Sequence, residues 1–90
     1  MFVSVTCEIV DDDNREKAYH LLGQYGFKEI LKNIHEAFNI TEKSLLRLKR
    51  DIDRVTDYYD TIRFYQYPVD GTLVITFLKN KKWRKIILKQ

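Results

Sequence analysis

Apolar and other side chains alternate along residues 2–9, and this alternation predicts a β-strand. Val3, Val5, Cys7 and Ile9 fall on one side of such a strand. Successive side chains of a strand point to opposite faces of its sheet, so a two-residue period predicts that this side is buried. The other side is expected on an open face of the sheet, and it carries Phe2, Ser4, Thr6 and Glu8.

A first helix is predicted after the acidic run at 11–13. Asp13 is the expected N-cap, with Glu16 three residues later as in a capping box. Gly26 is expected to end the helix, because the left-handed position that follows a helix favours glycine. Apolar residues recur at helical spacing between them, at Ala18, Leu21, Leu22 and Tyr25.

A second helix is predicted with Asn39 or Thr41 as its N-cap. Its apolar stripe consists of Leu45, Leu48, Ile52 and Val55. The charged residues off that stripe are Arg47, Lys49, Arg50, Asp51, Asp53 and Arg54. Most of that charge is therefore expected on a solvated face.

The remaining segments are extended. Residues 27–38 form either a hairpin that turns at Lys32-Asn33 or one bent strand. Further strands are expected at 60–68 and 72–78, separated by a turn at Asp70-Gly71. Asn80-Lys81-Lys82 turns the chain into a short terminal strand.

This order predicts an α+β domain, a ferredoxin-like α/β sandwich. Its elements are βαββαβ with an appended hairpin that supplies an added C-terminal strand, and residues 1–90 form a single domain. Such a sheet has helices on one face only. The open face, with Tyr65 and Tyr67 beside the outer side of the first strand, is apolar enough to need a partner. We therefore expect a sheet-to-sheet homodimer with two-fold symmetry.

The composition limits the cellular setting. The chain has 90 residues, 44% of them hydrophobic, and a single cysteine, Cys7. No apolar run approaches the roughly 20 residues that span a bilayer, and no basic segment precedes an apolar one at the N-terminus. We expect a cytoplasmic protein without a membrane partner, in which Cys7 is a core residue.

Positive charge is concentrated at the C-terminal end. Residues 1–78 carry ten basic and thirteen acidic side chains, whereas residues 79–90 carry six basic and no acidic ones. A strip of this kind attracts phosphate backbones. The nucleic-acid-binding candidates are Arg15 and Lys17, at the start of the first helix, together with Lys81, Lys82, Arg84 and Lys85. The alternative is that the basic residues protect an edge strand from aggregation.

Glu8 is the candidate catalytic and metal-binding residue. It is predicted at the end of the first strand, on the open face, where a two-fold dimer would bring two copies together. Paired carboxylates would share a proton or a divalent cation, and Mg²⁺ or Mn²⁺ could activate water against a phosphodiester. The alternative is an exposed carboxylate without a role. Asp11, Asp12 and Asp13 are better explained as helix-capping residues.

Five blocks of the chain, in order, resemble the Cas-two family, the small CRISPR-associated adaptation proteins. The resemblance covers nearly all of the sequence. The blocks are Val5-Thr-Cys-Glu-Ile9, Asp11-Asp-Asp-Asn-Arg-Glu-Lys17, Leu21-Leu-Gly-Gln-Tyr-Gly-Phe27, Asn39-Ile-Thr-Glu42 with the basic helix after it, and Asp60-Thr-Ile-Arg-Phe-Tyr65.

The resemblance implies a ferredoxin-like homodimer whose terminal strand, within 79–90, reaches the partner subunit. It also implies a scaffold that binds duplex DNA by its backbone and bridges the Cas-one integrase during spacer acquisition. Some members are described as Mg²⁺-dependent nucleases of RNA or duplex DNA, with the acid that ends the first strand at the metal.

Two departures bear on which role is expected here. Glu8 stands where the family has Asp, and Glu29-Ile-Leu-Lys-Asn-Ile-His-Glu36 keeps little of the family's block. These departures favour the scaffold. A metal-dependent endonuclease that uses Glu8 of both subunits, a diverged toxin-type ribonuclease of the same superfold, and an interaction module unrelated to nucleic acid are the alternatives.

Overall fold

The chain forms six strands and two helices, in a computed structural model that describes residues 1–68 and 70–89. In chain order they are β1 (Phe2–Glu8), α1 (Asp12–Gln24), β2 (Lys28–Leu31), β3 (Ile34–Ala37), α2 (Glu42–Arg54), β4 (Thr61–Tyr67), β5 (Thr72–Lys79) and β6 (Lys82–Lys89). The order of elements expected from the sequence is confirmed.

All neighbouring strands pair antiparallel in one sheet, in the order β2-β3-β1-β4-β5-β6. β1 is central, between β3 and β4. Consecutive strands β4, β5 and β6 are neighbours in the sheet, so the appended hairpin lengthens the sheet beyond β4. The fold is therefore an α+β domain with a six-stranded antiparallel sheet and two helices.

Both helices pack on the same face of this sheet. Val3, Val5 and Cys7 of β1 are buried there, as the alternation predicted. They belong to one core cluster that also contains Ala18 and Leu22 of α1, Leu45, Leu48 and Ile52 of α2, and Ile62 and Phe64 of β4. Burial of the Cys7 thiol raises its pKa to about 12, so it is an unreactive core residue.

The N-cap of α1 is Asp11, and the expectation of Asp13 was wrong. The Asp11 carboxylate accepts a hydrogen bond of 2.9 Å from the backbone N–H of Asn14. The first of the three aspartates precedes the first helical residue, and so it alone has the extended backbone that an N-cap needs. Gly26 follows the helix with φ of 88°, as expected.

The two hairpin turns and the N-cap of α2 are formed by residues suited to these positions. Residues 27–38 form the hairpin β2–β3 rather than one bent strand, and Asn33 turns it with φ of 69°. Thr41, not Asn39, caps α2 by accepting from the N–H of Ser44. Asn80 and Lys81 both have positive φ and form the tight turn between β5 and β6.

β6 is an edge strand, and each of its residues is exposed. It pairs with β5 of its own chain from Lys82 opposite Lys79 to Lys89 opposite Thr72. A contact of this strand with a partner subunit, which stays a prediction, would therefore use its outer edge or its faces. No helix in the described part of the chain is long and apolar enough to cross a membrane.

Candidate nucleic-acid interface

The basic C-terminal residues divide between the two faces of the sheet. Leu78 belongs to the core and pairs with Trp83, so Trp83 and Lys85 lie on the side of the helices. Lys82, Arg84, Ile86 and Leu88 lie on the opposite, open side. β6 therefore presents both basic and apolar side chains on each face.

A groove of about 580 Å³ separates α2 from β6. We call it the α2–β6 groove. It is lined by apolar, aromatic and cationic residues and one acidic residue: Leu46, Lys49, Arg50, Asp53, Arg54, Thr76, Trp83, Arg84 and Lys85. Arg84 borders the groove from a strand position whose side chain belongs to the open side. A smaller cavity of about 230 Å³ continues it beside the first turns of α2 and shares Leu46, Lys49, Thr76 and Lys85 with it.

The one carboxylate of this groove is hydrogen-bonded to other residues of the protein. Asp53 Oδ1 accepts from Lys81 Nζ at 2.5 Å, and Asp53 Oδ2 accepts from Trp83 Nε1 at 2.9 Å. The hydrogen bond from Lys81 lowers the pKa of the Asp53 carboxyl, which Trp83 also lowers and burial opposes. The remaining cations of the groove thus lack a free counter-ion among the residues that line it.

The Lys81 side chain is held by hydrogen bonds within the fold. Besides Asp53 Oδ1, its ammonium donates to the backbone carbonyls of Asp53 and Thr56, at 2.5 and 3.1 Å. A side chain held by three acceptors at the end of α2 has to leave them before it can bind a phosphate. Of the four C-terminal candidates, Lys82, Arg84 and Lys85 remain available for a ligand.

Lys49 lies half-buried in the groove. Its ammonium donates to Gln66 Oε1 at 2.9 Å and lies 5.5 Å from the ring centroid of Phe64 and 6.0 Å from that of Trp83. Burial, together with the positive charge of Lys85, lowers the pKa of Lys49 to about 8. An anion that approaches a lysine in this state stabilises its charged form.

Arg15 and Lys17 lie in the first turns of α1, in acidic surroundings. The Arg15 guanidinium binds the Asp12 carboxylate and donates to the carbonyl of Ile9 at 3.1 Å. Lys17 lines a shallow cavity with Asp13, Glu16 and His20. The Asp11 carboxylate accepts from the N–H of Asn14 at this helix N-terminus, and Asp12, Asp13 and Glu16 add negative charge, so a phosphate beside Arg15 and Lys17 is disfavoured.

Glu8 is the last residue of β1, exposed and on the open side, as predicted. It lines a cavity of about 380 Å³ whose other members include Arg15, Lys32 and Tyr59. The neighbouring carboxylate of Asp60 is buried and accepts from the backbone N–H groups of Val10 and Asp57, so it is committed to the fold. Within residues 1–68 and 70–89, no group of three or more His, Cys, Asp or Glu side chains could hold a metal ion.

The open side of the sheet is rich in aromatic residues. Phe2 lies 5.8 Å from Tyr67, ring to ring, and 5.2 Å from Phe38. Arg63 lies between Tyr65 and Phe77, its guanidinium carbon 5.6 and 5.2 Å from their ring centroids. The buried Nε of Arg63 has no hydrogen-bond partner among the described residues.

Sequence reasoning missed the α2 side of the groove. Lys49 and Asp53 were among the charged residues placed off the apolar stripe, and no contact was expected of them, but Lys49 contacts two aromatic rings and Asp53 holds the β5–β6 turn. The available signal was their position beside the apolar stripe. Leu46, Arg50 and Arg54 recur at intervals of four, which defines one flank of the helix.

Comparison with known proteins gives one informative match. No protein-family model and no curated protein matches the chain. A solved structure, the crystal structure of a hypothetical protein TT1823 from Thermus thermophilus, is similar with 32% sequence identity and a TM-score of 0.66. The match covers 79% of this chain and 83% of that one. On identity and coverage together, the chain belongs to the same protein family as TT1823.

Proposed function

We propose that this chain is a homodimeric subunit of the Cas-two kind, which binds the backbone of duplex DNA and bridges a Cas-one integrase during spacer acquisition. The observation that carries the proposal is the separation of charge in the fold. Lys49, Arg50 and Lys85 line the α2–β6 groove without an acidic partner among the described residues, whereas Arg15 and Lys17 lie among carboxylates at the start of α1. A one-sided positive surface is what sequence-independent phosphate binding needs.

The topology supports the family proposal. β2-β3-β1-β4 with its two helices has the strand order of a ferredoxin-like domain, and β5 and β6 extend it at the β4 side. The blocks that resemble the Cas-two family fall at β1 and its acidic end, at the two ends of α1, at the N-terminus of α2 and along β4. TT1823 itself is described only as a hypothetical protein, so the family resemblance rests on these blocks.

The open side supports the homodimer. Tyr67, Ile86 and Leu88 are exposed there, beside Tyr65 and Phe77. The unpaired Nε of Arg63 is a donor that a partner carboxylate would satisfy. Packing two such faces together would remove apolar area from water and give that donor an acceptor.

A metal-dependent endonuclease is the second candidate. It is favoured by the exposure of Glu8 at the end of β1 on the same open side, where dimerisation would bring two copies towards each other. Mg²⁺ or Mn²⁺ held between the two carboxylates would activate water for attack on RNA or duplex DNA. A toxin-type ribonuclease of the same superfold would also cleave RNA.

Purified wild type and Glu8→Ala, incubated with labelled duplex DNA or single-stranded RNA, separate these candidates. Mg²⁺, Mn²⁺ and EDTA are compared in parallel, and retardation of the duplex is measured on the same samples. The scaffold predicts that both proteins retard the duplex and that neither cuts. Metal-dependent cutting that Glu8→Ala abolishes would establish the nuclease instead, and failure to bind either nucleic acid would refute both.

A further inference from the structure

We propose that the α2–β6 groove binds one unpaired nucleotide of a single-stranded segment, with its base against Trp83 and its phosphate among the surrounding cations. The inference rests on the proposed nucleic-acid function. It adds to that function a contact with the base of a single strand, made by Trp83, beside cations that could also meet the phosphates of a duplex.

The groove offers an aromatic surface that is fixed in place. Trp83 is 36% exposed, and its ring packs 6.0 Å from the buried ring of Phe64. Its indole N–H donates to Asp53, which sets the orientation of the ring. Leu46, which is exposed, forms part of the facing wall on α2. A flat ligand that enters between them would stack without reordering the indole.

Positive charge lies within reach of the same ring. The Lys49 ammonium is 6.0 Å from the Trp83 centroid, and Arg50 and Lys85 also line the groove. Burial and, after it, the positive charge of Lys85 lower the pKa of Lys49, and an anion beside its ammonium favours the charged form. The ligand must therefore carry an aromatic ring and a negative charge close together.

A nucleotide carries both features in a single unit. In an acidic peptide the aromatic ring and the negative charge belong to two different residues. Such a peptide is therefore less suited to contact Lys49 and Trp83 at the same time. Duplex DNA keeps its bases stacked inside the helix, which leaves an unpaired nucleotide as the form whose base can reach the indole. The free mononucleotide has the same chemistry and is distinguished by experiment.

Trp83 is the single tryptophan of the chain, so its fluorescence reports on the groove directly. The wild type is titrated with a tetranucleotide of deoxythymidine, the mononucleotide, inorganic phosphate and tetraglutamate. We expect the tetranucleotide to quench Trp83 and to bind at least about tenfold more tightly than the other three. Equal binding of tetraglutamate, of phosphate alone or of the mononucleotide would overturn the proposal.

Variants test the residues, with binding followed by anisotropy of a labelled tetranucleotide. Trp83→Leu should weaken binding by roughly 5- to 150-fold, the range of one base–aromatic stack, whereas Trp83→Phe should keep most of it. Lys49→Gln should weaken binding about tenfold, and Lys43→Gln, on the same helix but outside the groove, should not. Full affinity of Trp83→Leu and Lys49→Gln would refute the site.

Duplex retardation on the same variants keeps the two proposals apart. If Trp83→Leu loses the single strand and retains the duplex, Trp83 contacts an unpaired base that the duplex does not offer, as proposed. If the wild type binds duplex but never the tetranucleotide, the groove proposal fails and the scaffold stands. If it binds neither, the nucleic-acid function itself is wrong.

Discussion

The carboxylate of Asp53 joins α2 to the β5–β6 turn at Lys81 and to the start of β6 at Trp83, and its closest partner is Lys81. Lys81 Nζ lies 2.5 Å from Asp53 Oδ1, and Trp83 Nε1 lies 2.9 Å from the other oxygen. Because β6 is an edge strand held otherwise by its pairing with β5, this contact fixes its angle to the helix. The shape of the α2–β6 groove therefore depends on Asp53.

Asp53→Ala is expected to lower the free energy of unfolding by about 1–2 kcal/mol, because it removes charge-assisted hydrogen bonds from a half-exposed site. It should also shift the emission of Trp83 to longer wavelength as the indole becomes more exposed. Urea denaturation followed by circular dichroism measures the first effect and fluorescence the second. Glu16→Gln, which removes an exposed carboxylate from α1, is the matched control and should change neither.

The contact between Lys81 and Asp53 predicts that the free energy of unfolding depends on pH. Lys81 lowers the pKa of Asp53 in the folded protein below its ordinary value of 3.8. The stabilisation is thus complete above about pH 4 and is lost as the pH falls through the folded-state pKa. The difference in unfolding free energy between wild type and Asp53→Asn should shrink on acidification below pH 4. A difference that grows there would contradict the assignment.

Two leucines of α2 provide a matched test of the core. Leu48 is 0% exposed and Leu46 is 62% exposed, two residues apart on one helix. Leu48→Ala should cost about 2–5 kcal/mol of unfolding free energy because it leaves a cavity. Leu46→Ala should stay within about 0.5 kcal/mol. Chemical denaturation measures both, and equal losses would mean that α2 packs with a different face.

Two adjacent isoleucines of β6 lie on opposite faces of the sheet and test which face forms the dimer. Ile86 pairs with Ile75 on the open side, and Ile87 pairs with Val74 on the side of the helices. If the open side forms the homodimer, Ile86→Glu should convert dimer to monomer, whereas Ile87→Glu should leave the dimer intact. Sedimentation velocity at several concentrations distinguishes the species. A monomeric wild type would refute the homodimer.

Lys49 predicts how binding in the groove varies with pH. Its pKa of about 8 means that it loses its charge between pH 7 and 9. Affinity for the single-stranded tetranucleotide should therefore fall across this interval in the wild type. In Lys49→Arg the charge persists, because arginine stays protonated, and the decrease should be smaller. Identical pH profiles for the two proteins would show that Lys49 does not contact the ligand.

The sequence was sufficient for the order of elements because each carried its own local signal. The alternation from Val3 to Cys7, the stripe from Leu45 to Ile52, and Asn33 at a turn all act over a few residues. The N-cap of α1 was placed two residues late because three successive aspartates offer the same chemistry. Only the backbone conformation at Asp11 decides between them.

The groove could not be predicted in the same way, because it arises from contacts distant in sequence. Lys81 meets Asp53 across 28 positions and Trp83 meets it across 30. Without those contacts, Lys49 and Asp53 resemble ordinary charges on a helix surface, and Lys81 resembles one more cation of a basic tail. Glu8 was placed correctly on the open side because it depends on the alternation of one strand alone.

The central claim is that the side of the domain formed by α2 and β6 binds nucleic-acid backbone. The most direct measurement is the salt dependence of duplex DNA affinity for the wild type, for Arg50→Gln/Lys85→Gln and for the control Arg15→Gln/Lys17→Gln. Each phosphate contact contributes about 0.9 to the slope of log affinity against log salt concentration. We predict a slope reduced by about 1.8 in the first variant and nearly unchanged in the control. A wild-type slope near zero, or a reduction confined to Arg15→Gln/Lys17→Gln, would contradict the claim.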